Sequence, residues 1–400
     1  MSVFTDLQFA INDSSKFPEQ KLISGPSPYW DKYLEGPSYI KPEDRQKPLV
    51  SSGKLDEKYS KYTTDLTPLL GTTYSEDVNL VDILEDDELL RDLAIQISQR
   101  GVVFFKKQQN LTIQQQKDLI QKLGLLSGKP AANGLHKHQT TPGAGIIGES
   151  GLVDPEITFI TNRRKNLIVD VAGDRTAAEG WHSDITFEPV PADYSSLRIF
   201  EQPPSGGDTL WANGYALYEK LSPSLRGYFD TLTGTYSQPL FKRAAVDKFQ
   251  IYSEARGAPE NTGDDSIAVH PIIRTNPVTG WKAFFGIGSN FTHLNDVTPL
   301  EAQALQKLVW DLLVQSHDIH VRYKWDKYDI AIWDNRSTLH AANRDIRLLG
   351  DEFRSGVRTV GIAERPYLDV NSLTQTEGLK LLAQQQQEKK LAKSLEKTSI

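Results

Sequence analysis

The 400-residue chain contains no cysteine. That excludes disulfides, thiolate metal sites, cysteine nucleophiles and iron–sulfur clusters together, so any catalytic metal must be held by His, Asp or Glu. No apolar run approaches the roughly 20 residues that a membrane span requires. The first ten residues have neither a basic start nor a long apolar segment, so no secretory signal is visible. The last four, Lys397-Thr398-Ser399-Ile400, lack a peroxisomal Ser-Lys-Leu signal. No Lys/Arg-rich stripe is present, and 45 Lys and Arg against 52 Asp and Glu leave a formal charge of −7. This argues against nucleic acid as the main ligand. Neither a phosphate loop of the Gly-x-x-x-x-Gly-Lys form nor a dinucleotide fingerprint occurs. What remains, 38% hydrophobic and 24% charged residues, is ordinary for a soluble globular protein. A cytoplasmic enzyme without nucleic-acid or membrane partners is the expectation.

The first 77 residues differ from the rest. Prolines at 18, 26, 28, 37, 42 and 48 interrupt any period, which predicts an extended arm with Tyr29, Trp30, Tyr33 and Tyr39 as anchors. Residues 368–400 form a polar, Gln- and Lys-rich tail, helical or frayed. Between them, residues 78–367 read as many short strands separated by Gly/Pro turns, with a few marked helices. Thr112-Ile113-Gln114-Gln115 and Thr298-Pro299-Leu300-Glu301 have the capping-box form, and residues 101–105 form a buried apolar strand. The pattern predicts a mainly β, α+β fold built on a double-sheet jelly roll with helical inserts.

Among eight histidines, His182 is the most informative. It sits two residues before Asp184 in Trp181-His182-Ser183-Asp184, and on a strand the two side chains leave the same face. One imidazole and one carboxylate can then occupy adjacent corners of a metal. His340, after Ile332-Trp333-Asp334-Asn335-Arg336, can supply the third ligand of a facial triad, an arrangement that suits non-haem Fe(II) activating oxygen. Spacing alone leaves open that all three are polar loop residues. Two further features bear on the choice. Gly206-Gly207-Asp208-Thr209 is a tight turn that offers a hydroxyl. Arg354 and Arg358, four apart, share a face of one strand, where a planar guanidinium fits a carboxylate or sulfonate.

Together these segments, with His270-Pro271-Ile272-Ile273-Arg274, resemble the taurine dioxygenase family of Fe(II)/2-oxoglutarate-dependent dioxygenases, and most closely its fungal sulfonate dioxygenase branch. The resemblance runs from Val78 to Tyr367. It implies His182, Asp184 and His340 as catalytic iron ligands, with 2-oxoglutarate and O2 as co-substrates. It implies Thr209 and Arg354 as the clamp on the distal carboxylate of 2-oxoglutarate, and Arg358 as the partner of the substrate's anionic head. The implied activity is hydroxylation of the carbon next to a sulfonate, giving sulfite, an aldehyde, succinate and CO2, as in sulfur assimilation. A dimer or tetramer is implied by analogy.

Two positions depart from that pattern. Lys129 stands where bacterial relatives use a His to bind the sulfonate, and Ala178 where they carry a polar side chain. Lys129 is therefore expected to attract the substrate as a point charge. His136 and His138 are read as ordinary loop residues near the expected mouth of the site, and His270 as structural. Phe187, Trp211 and Phe241 are candidates for the pocket wall. The same chemistry on an aryloxyalkanoate, an alkyl sulfate ester or a purine stays open. The intact triad speaks against a silent carboxylate-binding barrel, and a zinc hydrolase using the same ligands would need a general base and would not explain the Thr209/Arg354 clamp.

Overall fold

Val102–Phe105 is apolar at all four positions and buried at all four, as a strand with protein on both faces must be. It lies inside the larger of two sheets that form the core. The chain is described here from a computed structural model, over residues 36–140, 146–147, 153–162, 178–241, 252–345 and 352–398. The strands of the two core sheets are β1 (Thr63–Asp65), β2 (Thr72–Tyr74), β3 (Val102–Phe105), β4 (Thr158–Thr161), β5 (Ala192–Glu201), β6 (Thr209–Asn213), β7 (His320–Tyr323), β8 (Ile330–Asp334), β9 (Thr338–Ala342) and β10 (Ser355–Ile362). The large sheet has the order β1-β2-β3-β8-β5-β10-β4, and the small one the order β7-β6-β9. Only β2 and β3 pair in parallel; the other pairs in these sheets are antiparallel.

Alternation along β3 separates two cores. Phe104 points inward and packs with Trp333, Leu197 and Ile199 of its own sheet and with Trp211, Val321 and Tyr323 of the small sheet. Val103 and Phe105 point outward. There they meet α1 (Asp87–Arg100) and α2 (Ile113–Leu126) through Leu90, Leu93, Ile97, Leu119 and Leu123. The expected cap opens α2: Thr112 Oγ1 accepts from Gln115 N at 3.1 Å, and Gln115 Oε1 accepts from Thr112 N at 2.9 Å. The small sheet is covered on its outer side by α3 (Pro299–Gln315), whose Val309 and Leu313 join Ala212, Leu339 and Ala341. Two facing sheets with helices outside make the α+β jelly roll that the strand pattern predicts. Among the described residues no helix is long and apolar enough to cross a membrane.

Within the stretch predicted as an arm, the residues nearest the core are folded. Lys54–Tyr59 is helical, and β1 and β2 extend the large sheet. Elements of three to six residues carry too little period to be read from sequence. Residues 36–53 run over the surface, tied down by Ser38 Oγ to Asn133 Oδ1 at 3.0 Å and by Leu49 N to Val278 O at 2.8 Å. Tyr29, Trp30 and Tyr33 lie outside the described residues, and Tyr39 is half-buried. The tail contains a helix, α4 (Gln375–Thr398).

Candidate active site

His182 and His340 come together through the backbone. His182 N donates to His340 O at 3.0 Å, and His340 N donates to His182 O at 2.8 Å, an isolated antiparallel bridge that adds residue 182 to β9. The strand expected through Asp184 does not form. After the bridge the chain turns, and Ile185 has φ 61°, a left-handed conformation that is strained for a β-branched residue. The side chains still converge. Asp184 Oδ1 lies 3.8 Å from His182 Nε2 and 3.9 Å from His340 Nε2. One donor from each residue falls within 4.8 Å of the others. Gly288 lets this bridge lie close to its neighbour: a Cβ there would sit 1.9 Å from the Trp181 carbonyl oxygen.

The protonation states suit a metal. His182 Nδ1 lies 2.8 Å from Gly180 O. A carbonyl only accepts, so Nδ1 is the donor of this bond, which orients the ring with Nε2 toward Asp184. His340 is pulled down to about 3 by burial, with His182 and Arg358 lowering it further and Asp184 opposing. Burial alone would raise Asp184, but Arg358, His340, His182 and the Ser195 hydroxyl hold it below the usual carboxylate range. Two imidazoles beside one ionised carboxylate form a donor set that fits Fe(II) and leaves open positions.

On the adjoining wall, Arg354 Nη2 lies 3.3 Å from Thr209 Oγ1, and Trp325 Nε1 donates to the same hydroxyl at 3.0 Å. Arg354 is 6% exposed, and its Nε is buried without a hydrogen-bond partner. Burial lowers its guanidinium to about 10, opposed by Asp208. A buried cation held by a neutral hydroxyl is costly without an anion. A carboxylate entering beside Thr209 fits that requirement.

Over residues 63–356 the chain matches the family described as taurine catabolism dioxygenase TauD, TfdA. The chain belongs to this family. It is thus an Fe(II)- and 2-oxoglutarate-dependent dioxygenase that consumes O2. It is 41% identical over 345 residues to the alpha-ketoglutarate-dependent dioxygenase btcD of Neocamarosporium betae, covering 82% of this chain and 97% of the relative. It is 28% identical to the alpha-ketoglutarate-dependent sulfonate dioxygenase of Saccharomyces cerevisiae, covering 90% of this chain and 81% of the relative. A crystal structure of a taurine dioxygenase from Burkholderia xenovorans superposes with a TM-score of 0.57 at 27% identity, covering 76% of this chain and 90% of that one.

In this dioxygenase Arg358 projects from β10 toward the triad and donates from Nη1 to Asp184 Oδ1 at 2.7 Å. The loop holding His136 and His138 is laid along β10 by a hydrogen bond from His136 N to Val360 O at 2.8 Å. Both imidazoles are buried. Burial, then His138 and Arg358, pull His136 well below its usual value, and burial with Arg358 pulls His138 down to about 3. His138 stands 5.3 Å from the ring of Phe241, which in turn stands 5.4 Å from Phe187. The sequence favours ordinary loop residues at these two positions beside a supporting or substrate role, and the structure buries both rings. Their only signal was a His-x-His spacing in a loop expected near the mouth of the site.

Lys129 does not fit the substrate-holding role expected of it. Its ammonium donates to Gln121 Oε1 at 2.8 Å and lies 3.9 Å from Asp193 Oδ2, with no exposed side-chain surface. Gly124 of α2 passes directly over it. The charge belongs to the interface between α2 and the large sheet, where burial lowers its pKa and Asp193 opposes that shift. Trp211 is a core residue, packed 5.2 Å from Phe104 and 5.8 Å from Trp333. His270 is structural as expected, its Nε2 shared between Thr186 O and Glu188 O in the segment that follows Asp184.

Proposed function

We propose that this dioxygenase hydroxylates the carbon next to a sulfonate on a small organic anion, with release of sulfite and an aldehyde. In this reading His182, Asp184 and His340 hold Fe(II), and Thr209 and Arg354 grip the distal carboxylate of 2-oxoglutarate. Bound iron and 2-oxoglutarate supply the oxidising power for C–H hydroxylation, with succinate and CO2 formed in the same turnover. The protein contributes position and charge. Arg358 binds the anionic head, which holds the adjacent carbon beside the triad. His136 and His138, kept neutral by burial, offer polar nitrogens without added charge. Phe187 and Phe241 provide an apolar wall for the substrate's carbon body.

The observation that carries the reading is the Arg358 guanidinium, 2.7 Å from a triad oxygen. It puts a cation where an anion beside the metal would need one. The name of the yeast relative supports a sulfonate. A second reading keeps the chemistry and changes the anion to a sulfate ester, because a Pseudomonas putida sulfate ester dioxygenase is 30% identical over 203 residues, half of this chain. The test is a panel of alkanesulfonates, alkyl sulfates and phenoxyacetates, with succinate and sulfite both measured. Sulfite equal to succinate with a sulfonate is expected. Substrate-dependent succinate without sulfite from any sulfonate would overturn the substrate.

A further inference from the structure

Asn335 has every hydrogen-bonding position of its side chain in use. Its Oδ1 accepts from Asp184 N at 3.0 Å and from Trp333 Nε1 at 3.0 Å, and its Nδ2 donates to Asp193 O at 3.0 Å and to Ser195 Oγ at 2.8 Å. Two of these partners can only donate and one can only accept, so the amide has a single orientation. The direction of the next bond follows. Ser195 Oγ receives a hydrogen from Asn335, so its own hydrogen goes to Asp184 Oδ2, 2.8 Å away. Ser195 and Asn335 are both fully buried, so bulk solvent does not reach either bond.

This arrangement divides the work of the Asp184 carboxylate. Oδ2 is tied to the sheet by Ser195, while Oδ1 is the oxygen that faces His182 Nε2 and His340 Nε2. The residue's backbone is tied by the same Asn335. A carboxylate left free to rotate about its terminal bond would present either oxygen, or both, to a metal. We propose that Ser195 and Asn335 are positioning residues that restrict Asp184 to a single ligating oxygen and so set both the affinity and the coordination number of the site. Asn335 lies in the segment just before β9, which carries His340, and Ser195 lies on β5. Asn335 also directly follows β8, and its backbone N donates to Asp193 O of β5 at 2.8 Å, so the relay ties the carboxylate to the large sheet. The inference rests on the proposed triad, and its test separates the two.

Metal-free full-length protein is titrated with Mn(II), and the visible spectrum of the Co(II) form is recorded, for wild type, Ser195→Ala, Ser195→Thr and Asp184→Ala. Ser195→Ala should weaken Mn(II) binding by about 10-fold and change the Co(II) spectrum, which reports coordination number. Ser195→Thr, which keeps the hydroxyl, should restore both, whereas a merely structural loss would leave the Co(II) spectrum as in wild type. Wild-type affinity and an unaltered spectrum in Ser195→Ala would overturn the relay. Wild-type affinity in Asp184→Ala would instead overturn the triad. Should Ser195→Ala fail to fold, Ser195→Cys, close in volume and a weak donor, reads the same quantities: several-fold weaker binding is expected, and unchanged binding overturns the relay.

Discussion

Arg358 and Asp184, 174 positions apart in sequence, form a partly buried ion pair at 2.7 Å in which the guanidinium sits on the oxygen that faces the two histidines. The carboxylate is almost fully buried, so in the metal-free protein Arg358 supplies the charge that keeps it ionised. Removing one partner of such a pair typically costs about 3–5 kcal/mol. Arg358→Ala should therefore lower the thermal midpoint of the metal-free protein, and Mn(II), as a replacement cation, should recover much of the loss. An identical loss with and without Mn(II) would contradict the pairing.

The two arginines of this wall should separate kinetically. Hydrogen bonds to charged groups contribute about 1.5–3 kcal/mol, roughly 10- to 100-fold in binding. Arg354→Ala should raise the KM for 2-oxoglutarate by that factor while changing the KM for the organic substrate little, and Arg358→Ala should do the reverse. Steady-state kinetics in both co-substrates decides it. Equal losses on both axes from either variant would contradict the assignment.

Gly288→Ala probes the approach of the Trp181–His182 backbone. The added methyl would meet the Trp181 carbonyl oxygen at 1.9 Å, and relief requires the His182 bridge to move. A displacement of about 1 Å at a reacting centre can cost on the order of 100-fold. Succinate formation should fall by that order while circular dichroism still reports a folded protein. Activity within a few-fold of wild type would contradict the close packing.

Acid should destabilise the metal-free protein earlier than its carboxylates alone would require. His136, His138 and His270 are buried with pKa values depressed from 6.5, the latter two to about 3. The unfolded chain takes up these protons first. The stabilising contribution is complete above about 6.5 and is lost as pH falls from there toward about 3, at up to roughly 1.4 kcal/mol per pH unit for each imidazole. Thermal midpoints measured across this range should decline from about pH 6.5 downward. A flat profile from pH 7 to 5 would contradict the burial of these rings as neutral groups.

The comparison of sequence with structure divides along physical lines. His182, Asp184, Thr209, His340 and Arg354 stood out because each lies in a short, ordered motif whose residue types have few other uses together. The way they converge was hidden. A two-residue spacing suggested a strand, whereas one backbone bridge followed by a turn at Ile185 brings the side chains together. Lys129 misled because a charged residue in a loop is ordinarily solvent-exposed; here a buried acid, Asp193, waits for it across the helix–sheet interface. Ser195 and Asn335 were silent for a related reason. Small polar residues in and beside strands carry no sign in sequence of which partner they will meet. Jelly-roll strands were legible from their apolar runs and turns, but β1 and β2, three residues each, were not.

The most direct test of the triad is anaerobic Fe(II) binding to metal-free wild type and to His340→Ala, followed by addition of 2-oxoglutarate and observation of the visible charge-transfer absorption of the chelate. A single Fe(II) per wild-type chain, with absorption that develops on addition, is expected, and both should be lost in His340→Ala. Retention of the ion and of the absorption by His340→Ala would contradict the central claim.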